Sequence, residues 1–168
     1  TYSLSMKKQN TNSNQVLVFA VDQKYYKQNN MLNKFNEPNY GYIFPRNKIA
    51  DFITKIDNHA KKYNINPKVL FIDYDFTFKS GENNKTLTSN DKQLISVLKK
   101  NRKYIIVFPI THNQNFIKNS DDPKILNLIS LNKIQFASVG FNISSDYNTR
   151  RFTPYQIFDN MKYYHSSL

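Results

Sequence analysis

The chain has no cysteine and no tryptophan, only three glycines, and no apolar run of membrane-spanning length. Without cysteine, neither disulfides nor cysteine-ligated zinc can hold the fold, and a domain of this size needs neither. The longest apolar runs, VLVFAV and YIIVFPI, fall far short of the ~20 residues that a transmembrane helix requires. Arginine is scarce, at positions 46, 102, 150 and 151 alone, so the planar fork that reads phosphates and guanines is nearly missing. The net charge of +12, from 24 Lys and Arg against 12 Asp and Glu, therefore rests on scattered lysines. That pattern suits a solvated basic surface and argues against a nucleic-acid partner. A signal peptide is missing and Thr1 takes the place of an initiator Met, so the expectation is an excised piece whose targeting segments lie outside it.

What is present is core material. In 168 residues there are 13 Phe and 12 Tyr, and 39% of the chain is hydrophobic, enough for one packed domain but not two. Residues 1–14 have no apolar periodicity and are expected to form a linker or N-terminal extension. Residues 15–21 (QVLVFAV), 69–76 (VLFIDYDF), 104–110 (YIIVFPI) and 134–141 (IQFASVGF) are short continuous apolar runs of the kind found in buried strands.

Between the runs lie helical patterns. A polar helix is expected from Gln23. Ile49, Phe52, Ile53, Ile56, Ala60 and Tyr63 recur at intervals of three and four, with Pro45 at the helix entry. The loop SGENNKTLTSN ends in a cap for a helix around Leu94, Val97 and Leu98, and Asp121-Asp122-Pro123 opens another through Ile125, Leu126 and Ile129. The alternation predicts an α/β fold: a central, mainly parallel or mixed sheet flanked by helices on both faces. RRFTPYQIF is expected as a returning edge strand, because Pro154 cannot donate to a central ladder.

In such a fold Asp22, Asp73, Asp75 and Thr111 fall at the carboxyl ends of strands, where open α/β sheets bind ligands. Arg46 and His112 are the cationic or titrating groups beside them, with Tyr25, Tyr42 and Phe44 as walls. A purely structural use stands next to this one: Asp22 and Asp73 would cap helices or pair with Arg46. Asp146 and Arg150, four residues apart, fit a local ion pair at a turn. His59 fits a packed or surface position, and His165 lies in a tail.

The ordered set VLVFAVDQKYY, FPRNKIADFITKI and VLFIDYDF resembles CHASE2 sensory domains. Asp22, Pro45, Arg46, Asp73 and Phe76 occupy the family's places in these segments. DKQLISVLKKNRKYIIVFPI and ASVGFNISSDYNTRRFTP continue the likeness, with Gly140, Asn142, Asp146 and Arg150 matching. Two departures are visible: Ile43 and Phe44 stand where the family commonly has tryptophans, and Tyr147 where it has a glycine. The resemblance implies a sensor domain over residues 15–157 and a tail, 158–168, leading toward a transmembrane helix. It further implies a non-catalytic, extracytoplasmic part of a bacterial membrane receptor, facing the periplasm or the exterior. Such a domain needs no cofactor or metal. Its partners would be a small-molecule or protein signal, the parent chain's transmembrane helices and a cytoplasmic output module, with a homodimer as the implied assembly.

A competing chemistry is carried by VLFIDYDFTF, which is similar to the opening signature of haloacid-dehalogenase-like phosphohydrolases. There Asp73 would be the nucleophile and Asp75 the general acid, with magnesium offsetting the paired carboxylates. Thr111 would bind phosphate, and Lys118 or Lys124 would neutralise it. Against this, Phe76 stands where those enzymes usually place glycine, and no acidic pair follows IQFASVGF.

Overall fold

Three of the apolar runs form a parallel sheet in a computed structural model that describes residues 19, 21, 23–35, 37, 44–65, 67–81, 85–110, 115–138, 155–158 and 161–164. The chain divides into two units, Thr1–Asn39 and Tyr40–Leu168.

In the first unit, α1 (Gln23–Gln28) is the polar helix expected from Gln23. A turn follows, in which the Asn33 side chain accepts from the backbone N–H groups of Phe35 and Glu37 at 2.8 and 3.0 Å. Most of the expected strand at residues 15–21 lies outside the described residues. Its two described members, Phe19 and Val21, are in neither helix nor strand, and Phe19 is 46% exposed. A strand buried on both faces does not hold at Phe19.

The second unit is α/β. Helix α2 (Arg46–Tyr63) leads to β1 (Val69–Phe71), then α3 (Ser89–Leu98), β2 (Ile105–Ile110), α4 (Pro123–Ser130) and β3 (Ile134–Ser138). The strands pair in parallel in the order β1-β2-β3, with Leu70 opposite Ile106 and Ile106 opposite Ile134. Side chains alternate across a strand, so Ile106, Phe108, Ile110 and Ile134 share one face, and all are buried. The other face is less covered: Val69 is 54% and Phe71 38% exposed. The run 69–76 thus departs from expectation. It is a three-residue edge strand of the described sheet followed by a loop, because its chain turns away after Ile72, whose N–H still donates to Val107 at 3.0 Å.

Helix α2 buries Ile49, Ala50 and Ile53, whereas Tyr63, predicted on the same face, is exposed. The apolar stripe is fully buried only over the first half of the helix, with Ile56 and Ala60 partly buried beyond it. Helix α3 packs on α2 and buries Leu94, Val97 and Leu98. The final expected edge strand is present as β4 (Tyr155–Phe158), but its partner is β5 (Met161–Tyr164), antiparallel, in a sheet of their own. Part of the segment assigned as a tail is therefore a strand, and it lies beside β3.

The scarcity of glycine has a local solution. The left-handed residues that follow α1, α2 and α4 are Asn30, Asn64 and Asn132, with φ of 53°, 51° and 55°. Asparagine tolerates this region better than other non-glycine residues. Gly81 is a true requirement: a Cβ there would overlap Thr86, whose carbonyl accepts from the Gly81 N–H at 3.1 Å.

One brace ties α2, α3 and β2. Arg102 grips the Asp57 carboxylate from Nε and Nη2 at 3.0 and 2.9 Å and donates to the carbonyls of Val97 and Leu98 at the end of α3. The Tyr104 hydroxyl donates to Asp57 at 2.6 Å. Burial first, then the hydrogen bond and charge of Asp57, push the Tyr104 phenol well above its ordinary range. A raised folded-state value means that the folded chain holds this proton more tightly than the unfolded one. The stabilisation is complete below the ordinary tyrosine value of about 10 and is lost as pH rises beyond it. Ultraviolet pH titration should therefore leave one tyrosine protonated after the exposed ones ionise, and Tyr104→Phe should remove that late step. A late step surviving in Tyr104→Phe would refute the assignment.

Candidate functional site

The loop that leaves β1 carries the Asp-x-Asp pair. Asp73 and Asp75 are both exposed, as residues at the carboxyl end of a strand should be. They differ in use. One carboxylate oxygen of Asp75 accepts from the Thr77 N–H at 2.8 Å, a local turn closed by its own side chain. The Asp75 carbonyl accepts from Arg46 Nη2 at 2.5 Å. Asp73 makes no hydrogen bond or ion pair among the described residues.

Arg46 is placed differently from the expectation that it lines an open pocket or pairs with Asp73. It is 1% exposed, with its guanidinium 4.3 Å from the ring centroid of Phe76 and 5.4 Å from that of Phe116. Its carboxylate partner is Asp91, 0% exposed, with Nε and Oδ1 3.9 Å apart. Burial lowers the Arg46 pKa to about 10, against the upward pull of Asp91 and Asp75. A group so enclosed positions the loop and does not meet a diffusing ligand.

Asp91 belongs to the first turn of α3. Thr88 caps that helix, and the pair form a capping box: the Thr88 hydroxyl accepts from the Asp91 N–H while Asp91 Oδ2 accepts from the Thr88 N–H. The same oxygen accepts from the N–H and hydroxyl of Ser80 at 3.0 and 2.7 Å. A cap was expected at the end of SGENNKTLTSN and is Thr88; that the Asp91 carboxylate also meets Arg46 was not legible, since the two lie far apart in the chain.

Phe76 is 1% exposed and packs edge-on against Phe108 at 4.7 Å, while its carbonyl accepts from the Phe116 N–H at 2.9 Å. Pro45 is buried at the N-cap of α2, and Phe44 stacks on Tyr74 at 4.6 Å. Asn115, fully buried, donates to the Pro109 carbonyl at 2.9 Å and accepts from the Ile117 N–H at 2.9 Å. Lys118 has its ammonium over Tyr163 at 5.1 Å, and Lys124 is exposed on α4. Asp22, Tyr42, Thr111, His112, Gly140, Asn142, Asp146, Arg150 and His165 lie outside the described residues. His59 is exposed, its ring 4.4 Å from that of Tyr63.

A groove of about 380 Å³ runs along α3 and was not foreseen. Lys92, Ile95, Ser96 and Lys99 line one side, at the helical spacing of three and four that puts them on one face. Opposite are Phe116, Asn119 and Ser120 from the turn after β2, with Asp121 and Asp122 from the entry to α4; Lys79 and Leu87 also line the groove. Asp122 caps α4 by accepting from the N–H groups of Lys124 and Ile125 and is ion-paired with Lys99. Lys99, then those amides, hold the Asp122 carboxyl below the ordinary aspartate range. The tertiary placement of residues 116–122 makes this helix face a wall.

Among the described residues, no group of three or more His, Asp or Glu could hold a metal ion, and no helix is long and apolar enough to cross a membrane. The chain matches no protein-family profile, no curated protein and no solved structure.

Proposed function

We propose that this chain is a non-catalytic, ligand-sensing domain of the CHASE2-like kind, from the extracytoplasmic side of a bacterial membrane-bound receptor. One observation carries the reading. Two of the sequence segments on which the resemblance rests, Pro45-Arg46 and Asp73 to Phe76, meet in space: Arg46 donates to the Asp75 carbonyl and lies on the Phe76 ring. Three residues shared with that family, Pro45, Arg46 and Phe76, thus serve as the frame of a loop, without asking Asp75 or Phe76 to do chemistry. The phosphohydrolase alternative needs a sharp glycine turn at position 76, whereas a buried phenylalanine is the loop's anchor.

The same frame suits a relay. Arg46 opens α2, Asp91 sits in the first turn of α3, and α3 walls the groove. A ligand in the groove would act on α3, and the buried pair would carry any shift to α2. Signalling requires two arrangements of the domain with different affinities, so a binding constant alone would not establish it.

The test is a magnesium-dependent phosphatase assay on wild type and Asp73→Asn, beside a thermal-shift screen of small anions and amino acids. The expected result is no turnover above blank by either protein and stabilisation by one compound class. At a hundredfold excess over Kd, binding adds about 2.7 kcal/mol, which for a domain of this size is a rise of roughly 5–10 °C. Turnover by wild type that Asp73→Asn abolishes would overturn the proposal.

A further inference from the structure

We infer that the groove along α3 binds a small organic monocarboxylate with an apolar body. The inference deepens the ligand-sensing reading and rests on it. Among the groove's charged residues, Lys99 is already matched by Asp122. That leaves Lys79 and Lys92 against Asp121, an excess of one positive charge. The ammonium groups of Lys79 and Lys92 make no ion pair or hydrogen bond among the described residues. A single excess charge matches a monoanion better than a dianionic phosphate, and no arginine fork lines the groove to grip phosphate oxygens.

The remainder of the lining defines the body of the ligand. Leu87, 37% exposed, and half-buried Ile95 supply apolar surface. Ser96, Asn119 and Ser120 add neutral hydrogen-bonding groups. The volume, about 380 Å³, lies in the range of small-molecule sites. A short aliphatic or aromatic acid has this division: one charged end for the lysines and an apolar end for Leu87 and Ile95.

Hexanoate and benzoate, their uncharged amides, and inorganic phosphate are titrated into the full chain, followed by amide proton–nitrogen correlation spectra and calorimetry. The acids should give saturable shifts centred on Ile95, Ser96 and Asn119. Affinity should fall about tenfold or more for the amides, and likewise in Lys79→Met and Lys92→Met, as loss of one charge-assisted hydrogen bond requires. Melting temperature and circular dichroism of both variants should match wild type, since both lysines stand clear of the core. Amides binding as tightly as the acids at the same residues would overturn the inference while leaving a ligand-sensing groove. Phosphate binding more tightly than the acids would overturn it in favour of a phosphorylated ligand. Absence of shifts from every probe would also overturn it, and the ligand-sensing reading would still be decided by the phosphatase assay and the wider screen.

Discussion

Asp91→Ala should destabilise the domain by about 3–5 kcal/mol, the range for breaking a buried ion pair by removing one partner. The carboxylate is fully buried and is the acceptor for four donors from Ser80 and Thr88, apart from its pairing with Arg46. Alanine leaves the guanidinium of Arg46 enclosed and uncompensated, removes the reciprocal half of the α3 capping box, and strands the Ser80 donors. Domains of ordinary stability have only about 5–15 kcal/mol to lose, so urea unfolding should show a large fall in midpoint. The geometry also predicts a partial rescue. Among the described residues, Arg46 Nε and Nη1 and Asp91 Oδ1 have no hydrogen-bond partner, so the pair is imperfectly satisfied and its desolvation is poorly repaid. Arg46→Met combined with Asp91→Ala should therefore be more stable than Asp91→Ala alone, because it removes the orphaned charge. A loss under about 1 kcal/mol in the single variant, or a double variant less stable than it, would refute this account.

Phe76→Ala should cost a similar amount, about 3–5 kcal/mol, as expected for deleting a fully buried aromatic side chain. The ring touches Phe108 edge-on, stacks toward Phe116 at 6.2 Å and carries the Arg46 guanidinium on its face. The loss would thus combine a cavity with a cation–π contact in a desolvated setting. Its consequences should be local as well as global. The loop bearing Asp73 and Asp75 is held to the core through residue 76, so amide exchange at Tyr74 and Thr77 should accelerate more than exchange in β2. Urea unfolding and exchange measured on the same variant separate the two effects; a loss of stability below about 1 kcal/mol, or unchanged loop exchange, would show that the loop is anchored elsewhere.

The parallel sheet was legible because β2 and β3 are runs whose side chains are largely enclosed, α3 because a polar loop ending in a cap precedes Leu94, Val97 and Leu98, and α4 because Asp121-Asp122-Pro123 opens it. Legibility stopped where a residue's role depends on a distant partner. The run 69–76 has the composition of a buried strand, yet Val69 and Phe71 lie exposed at the edge of the described sheet and Phe76 turns inward from a loop. Composition reports what a segment can bury, not which of its residues finds a neighbour. Arg46 was expected beside a pocket or paired with Asp22 or Asp73; its surroundings are Phe76, Phe116 and Asp91, supplied by three other parts of the chain. The groove escaped for the same reason. Lys92 and Ser96 look like an ordinary polar helix face until Asn119 and Ser120 are set opposite them.

Closing three helices with Asn30, Asn64 and Asn132 has an effect on the state that is not folded. A glycine stop would enter the left-handed region without strain, but it would also give the denatured chain its widest choice of backbone conformations, all of which folding must surrender. Asparagine accepts a small strain in the native turn and starts from a narrower denatured ensemble. The two contributions oppose each other, so a chain nearly devoid of glycine can end its helices sharply without a large penalty in overall stability.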